Sequence, residues 1–106
     1  MAKFLIKASY TLEGVRGLVK EGGSGRRASA KTAIEGLGGK LEAFYFAFGD
    51  HDAYLIADLP DNVSAAALAL RVNQAGAVQI QTVVLMTPEE VDKAVKTGVD
   101  YRPPGS

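Results

Sequence analysis

Cysteine is missing from the chain altogether, so it has neither a disulfide framework nor thiolate chemistry. Histidine occurs once, as His51, and one imidazole with no second nitrogen ligand makes a poor zinc site, so no metal is expected. Net charge is also lacking, because 12 Lys and Arg balance 12 Asp and Glu. A neutral chain does not offer the basic surface on which nucleic acid or an anionic membrane depends, and neither is expected as a partner. No apolar run approaches the roughly 18–20 residues of a spanning helix. Lys7 follows Phe4-Leu5-Ile6 too soon for the opening residues to read as a secretory leader. These absences together point to a cytoplasmic protein.

What is present suffices for one domain. The chain has 106 residues, 47% of them hydrophobic, an ordinary globular composition able to bury one core without staples. Lys3 to Tyr10 alternates as a strand, with Phe4, Ile6, Ala8 and Tyr10 on one side and Leu5, Lys7 and Ser9 on the other. Thr11 offers an N-cap for a helix over Leu12–Glu21, in which Gly14 and Gly17 each cost about 1 kcal/mol relative to Ala. Gly22-Gly23-Ser24-Gly25 breaks it, and Ser24 is placed to cap a second helix from Arg26 to Gly36. Strands follow over 41–48 and Ala53–Leu59, joined by the turn Gly49-Asp50-His51-Asp52. Asp61 or Asn62 caps a helix from Val63 to Ala75, and Val78–Met86 is the last strand. Thr87-Pro88-Glu89-Glu90 then opens a short terminal helix: Thr as N-cap, Pro at the first helical position, Glu at the third.

The order β-α-β-β-α-β predicts an α+β, ferredoxin-like antiparallel sheet with helices on one face. Residues 1–98 make up this domain with its short C-terminal helix, and 99–106 form an extended tail. The strands are too apolar for one wet face. Phe44, Phe46 and Phe48 line one side of their strand as core, while Leu41, Ala43, Tyr45 and Ala47 line the other. Helices cover only one face, so the other needs a further layer, most simply the same sheet of a second copy in a homo-oligomer. The alternative is that the terminal helix folds across the open face.

Lys7-Ala8-Ser9-Tyr10-Thr11, Glu21-Gly22-Gly23, Gly38-Gly39-Lys40, Phe44-Tyr45-Phe46-Ala47-Phe48-Gly49-Asp50, Asp52, Leu59-Pro60-Asp61 and Leu85-Met86-Thr87-Pro88-Glu89-Glu90 carry a resemblance that runs from Lys3 to about Val95. They resemble the GYD domain family, small bacterial proteins named for a Gly-Tyr-Asp signature. His51 stands where that signature has its Tyr. The resemblance implies a fold of the dimeric α/β-barrel type. Barrels of that type include cofactor-free monooxygenases, isomerases, haem-dependent enzymes and plain binding modules, so fold analogy alone selects no reaction.

Three groups of residues carry possible chemistry. His51 between Asp50 and Asp52 concentrates acid/base groups, although Asp is also what a tight turn favours. Arg26 and Arg27 follow a glycine-rich bend at a helix start, where anions are favoured, although the Gly-Lys-Ser/Thr ending of a phosphate loop is missing. Lys7, Ser9, Tyr45, Tyr54, Asp58, Gln79 and Gln81 interrupt apolar strand faces and, if parity brings them together, line a small-molecule pocket or an interface between copies. Asp58 is among the partners available to Lys7. The expectation is a homo-oligomeric small-molecule-binding domain without a cofactor. Its alternatives are a cofactor-independent enzyme using Lys7, Tyr45 or His51 as acid/base, and a structural or regulatory assembly module.

Overall fold

A computed structural model describes all 106 residues. Eight elements follow one another: β1 (Ala2–Tyr10), α1 (Leu12–Glu21), α2 (Gly23–Gly36), β2 (Lys40–Phe46), β3 (Ala53–Leu59), α3 (Asn62–Ala75), β4 (Val78–Leu85) and α4 (Pro88–Lys96). The strands form one antiparallel sheet in the order β2-β3-β1-β4, an α+β arrangement consistent with the ferredoxin-like fold. Helix α2 packs on β2 at one edge of the sheet and α3 on β4 at the other.

Side chains alternate between the faces of a strand, so the register of β1 assigns faces to the whole sheet. Phe4, Ile6 and Ala8 of β1 are buried beneath the helices, and they pair with Ala57, Leu55 and Ala53 of β3, which are buried as well. Phe44 and Phe46 stand opposite Leu55 and Ala53, so they belong to that face and pack against the core. Ile34 of α2 and Ala65 of α3 close it from above.

The local signals hold at most element ends. The Thr11 hydroxyl accepts from the Gly14 N–H at 3.2 Å, and Asp61 Oδ1 accepts from the Ser64 N–H at 2.8 Å. Thr87 and Glu90 complete a reciprocal capping box at the start of α4. Hydrogen bonding to these backbone donors holds the Asp61 and Glu90 carboxyls below their ordinary range.

Three expectations are corrected, and one alternative is set aside. Ser24 makes no cap; α2 begins at Gly23, and Gly22 serves both helices. At φ 86 its N–H donates to the Leu18 carbonyl at 2.7 Å, ending α1, while its own carbonyl accepts from Arg26 at 3.2 Å, starting α2. Leu41 lies on the helix side, because an irregularity between Leu41 and Ala43 shifts the pairing and leaves Glu42 as an extra residue. Phe48 is 65% exposed rather than core, since β2 stops at Phe46 and Phe48 takes a left-handed φ of 54. It keeps contact with the aromatic stripe by stacking on Phe46, ring centroids 5.6 Å apart. Finally, α4 does not cover the sheet: every residue from Pro88 onward is exposed. The Cα radius of gyration, 17.0 Å, exceeds the roughly 13 Å of a compact chain this long, as a projecting terminal segment requires.

The two glycines of α1 separate by what surrounds them. Thr11 N–H and Oγ1 both reach the Ala77 carbonyl, pinning the start of α1 to the α3–β4 turn, and a Cβ on Gly14 would lie 1.9 Å from that oxygen. Gly17 has nothing within 4 Å, and nothing in the structure explains it. Gly14→Ala should therefore destabilise by about 1–3 kcal/mol through overpacking, while Gly17→Ala should stabilise by about 1 kcal/mol through helix propensity. Urea unfolding followed by circular dichroism checks both, and effects of the same sign would contradict the close approach at Gly14.

Candidate functional site on the uncovered sheet face

The register also settles which polar residues meet. Tyr45 stands opposite Tyr54, Tyr54 opposite Lys7, and Lys7 opposite Gln81, so one row crosses all four strands on the face without helices. With adjacent strands about 4.8 Å apart, that row is about 15 Å long. Ser9 and Gln79 form the next row toward the β2–β3 turn. On the other side of the Tyr-Tyr-Lys-Gln row runs an apolar one: Ala43, Ile56, Leu5 and Val83. Beyond it lie Asp58, Lys3 and Leu85, with Lys40 opposite Asp58.

His51 joins this face from the turn. Its Nδ1 is 3.1 Å from Ser9 Oγ, and its ring meets Tyr54 edge-on with centroids 5.9 Å apart. The flanking acids do not cooperate with it. Asp52 Oδ2 accepts the Tyr10 N–H at 2.7 Å, and its own N–H donates to the Ala8 carbonyl at 2.8 Å, so its work is to extend the β1–β3 pairing into the turn. Asp50 is exposed in the turn and makes no side-chain hydrogen bond.

Lys7 is half-buried and has no ion-pair partner within the chain. Asp58, offered to it by sequence, is instead bound by Lys3, whose Nζ lies 3.0 Å from Asp58 Oδ1 and also contacts Glu42. The hydrogen bonds that Lys3 donates to the two carboxylates, Glu42 foremost, raise its ammonium above its ordinary value. This cluster went unread in the sequence because Glu42 reaches Lys3 only through the irregularity in β2. Tyr45 is 73% exposed, the most accessible aromatic ring of the row.

The chemistry of this surface is recognisable in kind: two phenols, an ammonium and a carboxamide in line, an imidazole beside a hydroxyl at one end, and an apolar floor alongside. Such a set can hydrogen-bond a polar ligand and seat its apolar part. The family model of the GYD domain matches residues 4–95. The chain belongs to the GYD domain family. No curated protein matches it. In this GYD domain His51 lies at the edge of the polar row.

Arg26 and Arg27 are not part of the row, and they also part from each other. Arg26 faces the cleft between α2 and α3, with Glu21 at 3.7 Å, whereas Arg27 lines a shallow groove at the β2 edge with Ser24, Lys31 and Glu42. No group of three or more His, Asp or Glu side chains is arranged to hold a metal ion. No helix is long and apolar enough to cross a membrane.

The division of labour in the turn is measurable. Asp52→Ala removes the acceptor of the Tyr10 amide and should destabilise by about 1–3 kcal/mol, while Asp50→Ala should stay within about 0.5 kcal/mol of wild type. Chemical denaturation of the two variants decides this, and equal stabilities would remove Asp52 from its clamping role.

Proposed function

We propose that this GYD domain is a cytoplasmic homo-oligomeric small-molecule-binding protein in which the uncovered faces of two copies close a chamber around the Tyr45-Tyr54-Lys7-Gln81 row. The observation that carries the reading is the register itself. It gathers six polar residues separated in sequence, Lys7, Ser9, Tyr45, Tyr54, Gln79 and Gln81, on the one face that no helix shields. The apolar row beside them gives that face a reason to leave water. Two antiparallel sheets packed face to face stand about 10 Å apart, enough to enclose a small ligand between the rows where side chains do not interdigitate.

Within the chamber Lys7 supplies the charge. A half-buried ammonium without a partner becomes costly once a second sheet excludes water from it, unless an anionic group arrives to pair with it. We therefore take the ligand to carry an acidic or strongly accepting group, with the phenols of Tyr45 and Tyr54 as its further hydrogen-bond donors. A catalytic version of the same reading is favoured by the Ser9–His51 contact: in the tautomer whose Nδ1–H donates to Ser9 Oγ, Nε2 is left to act as a general base.

Native mass spectrometry of the protein purified from its natural host tests the binding reading. The wild type should carry a small-molecule mass that is absent from Lys7→Met, while Lys7→Met melts at an equal or higher temperature. No added mass on either protein, with Lys7→Met changing only the stability of the oligomer, would leave Lys7 an interface residue and the reading of an assembly module in its place.

A further inference from the structure

The helix side of the sheet holds a feature that the chamber does not use. Helices α2 and α3 sit over opposite edges of the sheet, and between them lies an apolar cleft of about 150 Å³. Thirteen of its fifteen lining residues are hydrophobic. Small side chains create it: Ala8 and Ala53 form its floor over the two central strands, and Ala30 and Ala33 of α2 face Leu68 and Val72 of α3 across it. What sets this cleft apart from the more polar groove at the β2 edge is its apolar lining, and its volume is enough to admit a small molecule. Apolar walls give water no hydrogen-bond partner, and an apolar cavity of about this volume is large enough for a benzene ring.

The rim is not apolar. Arg26 and Ser29, one turn apart on α2, are the polar exceptions among the lining side chains apart from the Tyr10 phenol. Arg26 has one ion-pair partner, Glu21 at 3.7 Å, which is beyond hydrogen-bond distance and leaves its guanidinium donors unengaged. A planar donor fork over an apolar slot fits a carboxylate attached to a compact hydrophobic body.

We infer that the α2–α3 cleft is a second binding site, separate from the chamber, for a small amphipathic carboxylate. Its ring-sized apolar part lies between Ala30, Ala33, Leu68 and Val72, and its carboxylate lies on Arg26. The site is complete within one chain and does not rest on the open-face reading.

Benzoate and its uncharged analogue toluene are the probes, followed on the full chain by methyl NMR and by thermal melting. Benzoate should shift the methyl signals of Ala30, Ala33, Leu68 and Val72 saturably and raise the melting temperature. Arg26→Met should weaken benzoate by roughly ten-fold or more while toluene still binds, given the usual strength of hydrogen bonds to charged groups. Ala30→Leu should fill the cleft and abolish both ligands. Ala33→Leu does the same from the rim should the first variant fail to fold. Lys7→Met should leave benzoate binding unchanged, which separates this site from the chamber. The inference is overturned if benzoate leaves those methyls unmoved, if the filled variants bind it as the wild type does, or if Arg26→Met binds it equally well. Loss of benzoate in Lys7→Met, or shifts that follow protein concentration rather than benzoate, would overturn it too, the latter by making a second copy the occupant.

Discussion

Because β1 is paired on both sides, to β3 and to β4, its alternation decides which residues of the neighbouring strands share a face. The clamp at the end of β1 holds this pairing in register, with Asp52 bonded to the Tyr10 amide and to the Ala8 carbonyl. A slip of β1 by one residue would exchange its faces, sending Lys7 beneath the helices and Phe4 and Ile6 to the open side. Everything proposed for this protein depends on that parity. On one side it aligns Tyr45, Tyr54, Lys7 and Gln81; on the other it places Ala8 and Ala53 where the helices leave a gap.

Local chemistry made much of the fold legible from sequence. Thr11, Asp61 and Thr87 each cap the helix that their side chains favour, and Pro60 and Gly76 stop the elements before them, because these signals act within a few residues. The misreadings come from contacts that close over longer distances. Gly22 joins two helices with a single residue, so the low helix propensity of Gly23-Ser24-Gly25 is overridden by its bonds to Leu18 and Arg26. The extra residue at Glu42 reverses the face of Leu41, and strict alternation carries no sign of it.

The candidate site was legible as a set but not as a geometry. Lys7, Ser9, Tyr45 and Tyr54 share a face because strand parity is a strong rule, and His51 reaches them because the turn folds back over Ser9. Sequence did not indicate that Asp58 belongs to Lys3, nor that Asp52 serves the backbone, since both outcomes depend on which donor lies nearest across the sheet. The separation of Arg26 from Arg27 follows the helix: adjacent residues point about 100° apart, so once α2 began at Gly23 the pair could not act as one anion cradle. The same rotation carries Arg26 to the cleft.

The central claim is that one sheet face is covered by a second copy of the chain, and the state of the protein in solution tests it most directly. Sedimentation equilibrium of the wild type at micromolar concentration should give a mass of at least twice 11.1 kDa. A single species at 11.1 kDa would contradict the account, because Leu5, Ile56 and Val83 would then face water in the working protein.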